Sequence, residues 1–150
     1  MKYPILSVLL LVFTLIASGC GSAPNASAAN ASPEALMVED QASLIAALEV
    51  AGATVEVGEP ISQVFFSREG SILKVNGADV QVFEYESAEA MESEASQVAP
   101  DGGSIGTSMV TWMDTPHFYK AGRIIVLYVG SDEMVLDLLE KEMGPQFAGR

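Results

Sequence analysis

The side chains with the clearest chemical potential lie together in Trp112-Met113-Asp114-Thr115-Pro116-His117-Phe118-Tyr119, around the chain's one histidine. An imidazole changes charge near neutral pH, so His117 oriented by the carboxylate of Asp114 could serve as the general base of a hydrolase. The same stretch could instead contact a ligand through Trp112, His117 and Tyr119, with Arg123 supplying a positive charge just beyond the next turn. A third reading gives it no chemistry: a turn histidine beside a hairpin whose aromatics fill a core. Ser104, Ser108 and Thr111 are near in sequence. None of them stands in a G-x-S-x-G elbow, the strained turn that lifts a serine hydroxyl toward its base. The pattern therefore leans away from an enzyme.

Metal chemistry has less to work with. One histidine and one cysteine cannot supply the four ligands of a closed zinc site. Glu84, Glu86, Glu89, Glu92 and Glu94 are dense enough to attract calcium weakly. They straddle an expected strand and an expected helix, however, and lack the Asp-rich loop with a central glycine that an EF-hand needs. A solvated acidic face accounts for them. Asp101-Gly102-Gly103 could form a backbone nest for an anion, but no phosphate-binding lysine accompanies it, and it reads as a turn. No metal and no cofactor are expected.

Charge narrows the partners. Twenty Asp and Glu oppose seven Lys and Arg, a formal net charge of −13. Phosphate contacts need clustered Lys and Arg, so nucleic acid is excluded as a partner. Arg68, Lys74, Lys120 and Arg123 are the only cations between the N-terminal spacer and the last helix. Carboxylates of the chain itself could pair with all four. Such surface pairs contribute only about 0–1 kcal/mol each.

The N-terminus says where the chain goes. Lys2 is followed by an apolar run from Ile5 to Ala17, broken only by Ser7 and Thr14, and then by small residues and the single cysteine. Positive start, apolar middle and small-residue cleavage site make a secretory signal. The run falls short of the about 20 apolar residues that span a bilayer. No charged residue follows until Glu34, so there is no basic stop-transfer flank.

Ala17-Ser18-Gly19-Cys20 resembles the lipobox of bacterial lipoproteins, with Ala17 where leucine is usual and Ile16 just before it. The resemblance covers residues 1–21. It implies a diacylglyceryl group, with palmitate-type chains, on the Cys20 sulfur, and removal of residues 1–19 so that Cys20 begins the mature chain. One acyl chain binds a membrane only marginally, while two anchor stably at about 0.8 kcal/mol per buried methylene. An ordinary secretory signal cut nearby is the alternative. The body is similar to small bacterial lipoproteins that share the phrases Pro116-His117-Phe118-Tyr119 and Val126-Leu127-Tyr128-Val129-Gly130, a likeness that implies export and anchoring and no activity. Loss of Lys2 would leave six cations against twenty carboxylates, a net of −14. Membrane contact is then expected through the lipid alone, on the outer face of the envelope. An envelope protein or a small ligand is the expected further partner, bound by a noncatalytic module. A hydrolase using His117 and Asp114, or a structural envelope subunit, are the alternatives.

Residues 20–39 should be a tether, because Gly21 to Pro33 carries neither charge, aromatic nor large aliphatic side chain and cannot offset the entropy of ordering. Residues 40–150 have the length of one domain, which must hold together by burial, since a lone cysteine has no partner within the chain.

Within that domain, Asp40 should cap a helix through Ala51 that carries Leu44, Ile45 and Leu48 on one face. Ala53 to Val57 and Ile61 to Ser67 read as strands around a turn at Gly58-Glu59-Pro60. Asn76-Gly77 between apolar runs is the strongest short hairpin signal, because both central residues of a type I′ turn need positive φ. It joins Ser71–Val75 to Ala78–Tyr85. Ser87 should cap a helix to about Val98. Gly106 to Met113 reads as extended, and Arg123 to Val129 as a central strand. Ser131 should cap a last helix, burying Met134 and Leu138 with Leu139 or Val135. A shift of 44 residues overlays the segment from Val75 on the segment from Tyr119, each a hairpin followed by a helix. The expected fold is α+β, a two-layer sandwich with a mainly antiparallel sheet, helices on one face and the other face open for binding.

Overall fold

The computed structural model describes residues 37–150. The apolar N-terminal run, Cys20 and the spacer to Pro33 lie outside the described residues. Packing starts slightly earlier than the sequence indicates. Val38 is already buried, and Glu39 O accepts from Arg123 N at 2.8 Å.

The fold is α+β. Helix α1 (Gln41–Val50) begins at Asp40, whose side chain accepts from Ser43 N, while Ser43 Oγ accepts from Asp40 N, both at 2.9 Å. This reciprocal cap satisfies two otherwise orphaned donors. β1 (Val55–Ser62), β2 (Glu69–Val75), β3 (Ala78–Glu84), β6 (Pro116–Ala121), β7 (Ile124–Val129) and the short β8 (Ala148–Gly149) form one sheet in the order β1-β2-β3-β7-β6-β8. Every neighbouring pair in it is antiparallel. β4 (Ser104–Ile105) and β5 (Ser108–Met109) make a separate small hairpin. Helices α2 (Ala88–Ala95) and α3 (Glu133–Met143) follow β3 and β7.

Asn76 (φ 51°) and Gly77 (φ 88°) both adopt positive φ between β2 and β3, as the tight hairpin requires. β7 sits between β3 and β6, and Ile124 to Tyr128 are all buried. The 44-residue echo has a structural counterpart. β3 and β7 pair with Val82 opposite Val126, and with Val80 and Glu84 opposite Tyr128 and Ile124. The two hairpins thus meet at a local two-fold centred on Val82 and Val126.

Four details differ from expectation. Gly58-Glu59-Pro60 does not turn the chain. Two residues, Gly58 and Glu59, oppose the single Ile72, a bulge inside one continuous strand β1. β1 is an edge strand, where proline's missing N–H costs no ladder bond. The reversal comes later, at residues 63–68, so Phe65 and Phe66 lie in a loop. Helix α2 ends at Ala95, and Val98 instead forms a bridge to Ile105. The α3 cap is Asp132, which accepts from Met134 N at 2.9 Å, in place of Ser131. That helix buries Val135 and Leu139, while Met134 is 63 % exposed and Leu138 only half-buried.

The expectation of helices on one face holds for α1 and α3, which pack with Leu73, Val80, Val82, Ile124, Val126 and Tyr128. Alternation sends Phe83, Phe118, Ile125 and Leu127 to the opposite face. There Met91 and Ala95 of α2, with Ile105 and Phe66, cover them. The second face is therefore not open. No helix among the described residues is long and apolar enough to cross a membrane.

Candidate functional site

His117 lies in β6, and strand alternation aims it at the face that carries Tyr119 and Tyr128. It is buried, 7 % exposed. Its Nε2 meets Gly130 O at 3.1 Å and its Nδ1 meets the Gln146 side-chain amide at 2.8 Å. The ring stacks on Tyr128 at 6.1 Å between centroids. Gln146 Oε1 and Gly130 O are both acceptors, so a ring carrying a proton on each nitrogen donates to both; a neutral ring with Nε2–H donating to Gly130 O keeps the second contact when the Gln146 amide is turned to present its nitrogen to Nδ1. Both nitrogens are occupied in either case. Asp114 is exposed, and its Oδ1 accepts from Thr115 N at 2.7 Å. No hydrogen bond joins Asp114 to His117, so the geometry does not assemble an oriented base. His117 ties β6 to the segments after β7 and α3.

The other candidates separate in the same way. Tyr119 is buried on the helix-covered face, and burial, followed by the charges of Glu140 and Asp137, raises its pKa. Arg123 binds Glu84 at 2.7 Å and Asp40 at 3.4 Å, and Nη1 also donates to Tyr85 O at 3.4 Å. Glu84 in turn accepts from Gln41 N at 3.1 Å, the first residue of α1. Arg123 is thus a staple between the α1 cap and the sheet, and it takes no part in a site with Trp112. The cap lowers the Asp40 pKa: hydrogen bonds from Ser43 contribute most, and Arg123 adds to them. Arg68 pairs with Glu86, Lys74 with Asp79, and Lys120 with Glu92 at 2.6 Å. No group of three His, Cys, Asp or Glu that could hold a metal occurs among the described residues.

Trp112 borders a cleft. Its Nε1 donates to Gly102 O at 2.7 Å, and its ring meets Phe65 and Phe118 edge-on, each at 5.8 Å. These contacts fix the indole in place. Beside it opens a cleft of about 390 Å³ lined by Asp101, Thr111, Trp112, Asp114, Thr115 and Arg150, among others. His117 does not line it.

Sequence reasoning missed the most exposed apolar groups. Val64, Met109 and Met113 are each at least 92 % exposed. Val64 adjoins Phe65 and Met113 adjoins Trp112, so the Phe65–Trp112 contact holds their two segments side by side. Met109 belongs to β5, in the same stretch as Trp112. A hydrophobic residue in a reversal flanked by Ser, Thr and Gln is the signal that could have marked them. Val64 was hidden because Ile61–Ser67 reads as a strand, and Met109 and Met113 because Gly106 to Met113 reads as extended.

The chain matches no family model, no curated protein and no solved structure.

Proposed function

We propose that the chain is an exported lipoprotein, held at the outer face of the cell membrane by a lipid on Cys20, whose folded domain is a noncatalytic module that binds another envelope protein. The observation that carries the interaction reading is the exposure of Val64, Met109 and Met113, three large apolar side chains left in water, two of them next to Phe65 and Trp112, whose rings meet; we refer to the three as the apolar rim. Exposed apolar side chains that gather beside one another mark interaction sites, and the Phe65–Trp112 contact brings the segments of Val64 and Met113 together. The occupied nitrogens of His117 and its separation from Asp114 support a noncatalytic domain over a hydrolase. The Ala17-Ser18-Gly19-Cys20 sequence after an apolar run supports the anchor.

A photo-crosslinking residue placed at Met113 should trap a discrete partner in intact cells, and Val64→Ser with Met109→Ser should abolish the adduct. The same probe at Val50, 71 % exposed on α1, is the control. Equal labelling from both positions would refute the rim as an interface. Separately, Cys20→Ser should release the chain from the membrane fraction, and a membrane-bound Cys20→Ser product would end the anchoring proposal.

A further inference from the structure

The cleft beside Trp112 contains an unusual arrangement of charge. Six cations fall among the described residues: Arg68, Lys74, Lys120, Arg123, Lys141 and Arg150. The first five each have a carboxylate within ion-pair distance. Arg150 has none among the described residues, although it lines a cleft that also contains Asp101 and Asp114. In a chain this rich in carboxylates, a cation that shares a cavity with two of them and pairs with neither leaves a gap between opposite charges. The carboxylates are also held in place. Asp101 Oδ1 accepts from Gly103 N at 2.9 Å and Asp114 Oδ1 from Thr115 N at 2.7 Å, which leaves the second oxygen of each available. Trp112 is fixed between Phe65 and Phe118. Asp101, Asp114 and Trp112 therefore need little ordering when a ligand arrives, which favours affinity, while the exposed Arg150 is held at its backbone, whose N–H donates to Pro116 O at 3.2 Å.

We propose that this cleft binds a small zwitterion, its ammonium group between Asp101 and Asp114 against the Trp112 ring, and its carboxylate on Arg150. Two acceptor oxygens and an indole are the groups that recognise an organic cation, and a guanidinium is the preferred partner of a carboxylate. A volume of about 390 Å³ falls at the small end of ligand sites, which run from about 300 to 1,000 Å³. The net charge of −13 draws the cationic end toward the domain, and Arg150 sets the polarity of the bound molecule. The inference rests neither on the lipid anchor nor on the apolar rim, since Val64, Met109 and Met113 do not line the cleft.

Trp112 is the sole tryptophan of the chain, so its fluorescence reports on this cleft. The full chain is titrated with glycine, γ-aminobutyrate, L-lysine and L-alanyl-L-alanine, which set ammonium and carboxylate at different separations. At least one should give a saturable change in emission. N-acetylation or amidation of that probe should each weaken binding about tenfold or more, as loss of a charged hydrogen bond does. Asp101→Asn, Asp114→Asn and Arg150→Gln should each reproduce that loss. Asparagine retains the oxygen that accepts from the backbone, and the blocked probes test the same contacts on the unaltered chain. No saturable change with any probe at about 10 mM, or equal binding of the blocked forms, overturns the proposal.

Discussion

Replacing Tyr85 by phenylalanine should make the domain more stable. Tyr85 follows β3 and packs in the cluster with Phe66, Phe83, Met91 and Ala95, 3 % exposed. Its hydroxyl has no hydrogen-bond partner among the described residues. A buried hydroxyl that has lost water and gained nothing costs about 1–3 kcal/mol. Phenylalanine keeps the ring and removes that cost, so Tyr85→Phe should gain about 1 kcal/mol or more. For a domain of this length the thermal midpoint should rise about 4 °C per kcal/mol. The alkaline limb provides a second readout. Burial, then the negative charge of Glu94, raises the Tyr85 pKa above the ordinary 10.0, while Arg68 opposes them. The unfolded chain therefore releases this proton first. The stabilisation tied to the neutral phenol is complete below pH 10 and disappears as pH climbs toward the folded value. Urea melts at neutral pH and above pH 10 should show a wild-type loss that Tyr85→Phe reduces, with Tyr119 contributing to what persists. A variant less stable at neutral pH, or one with an unchanged alkaline slope, would refute the claim that the hydroxyl is buried and unsatisfied.

Two further perturbations test other parts of the fold. Asp40→Ala removes the acceptor at the start of α1 and should lower the thermal midpoint. The hydrogen bonds from Ser43 and the charge of Arg123 hold the Asp40 carboxyl below its ordinary 3.8, so its contribution is present above that pH and is lost as pH falls through the folded value. Acid titration followed by circular dichroism should therefore show a shallower decline in Asp40→Ala. Gly122 has φ 51°, and a Cβ there would collide with the Glu39 backbone. Gly122→Ala should cost at least about 2 kcal/mol from backbone strain and crowding together. Gly77, at φ 88° with nothing within 4 Å, should lose only about 1 kcal/mol on the same change. Equal losses in urea melts would show that the contact with Glu39 does not constrain the turn.

Features written in a few adjacent residues were legible without coordinates. The Asn76-Gly77 turn, the caps at Asp40 and Ser87 and the all-apolar β7 depend on local φ, local donors or unbroken hydrophobicity, and the fold reproduces each. Features that depend on a distant neighbour were not. In α3, Met134, Val135, Leu136, Leu138 and Leu139 are apolar around most of the circumference, so helical spacing alone does not select the inner side; packing with α1 and β6 does. Gly58-Glu59-Pro60 has turn chemistry but sits at a sheet margin that tolerates it. The candidate residues around His117 lie on consecutive positions, and a strand sends consecutive side chains to opposite faces. Sequence proximity therefore scattered them: His117 and Tyr119 to one core, Phe118 to the other, and Trp112 to the cleft.

The two margins of the sheet limit how copies of this protein can meet. One is β1, interrupted by its bulge and Pro60 and carrying Glu56 and Glu59 outward; the other is β8, two residues long. Neither offers a straight ladder of free amides and carbonyls for a second polypeptide to extend. Under the anchoring proposed above, molecules would crowd laterally on a two-dimensional surface, where unprotected margins zipper into aggregates. Edges of this kind, as the described residues form them, disfavour strand-by-strand joining of neighbours on that surface.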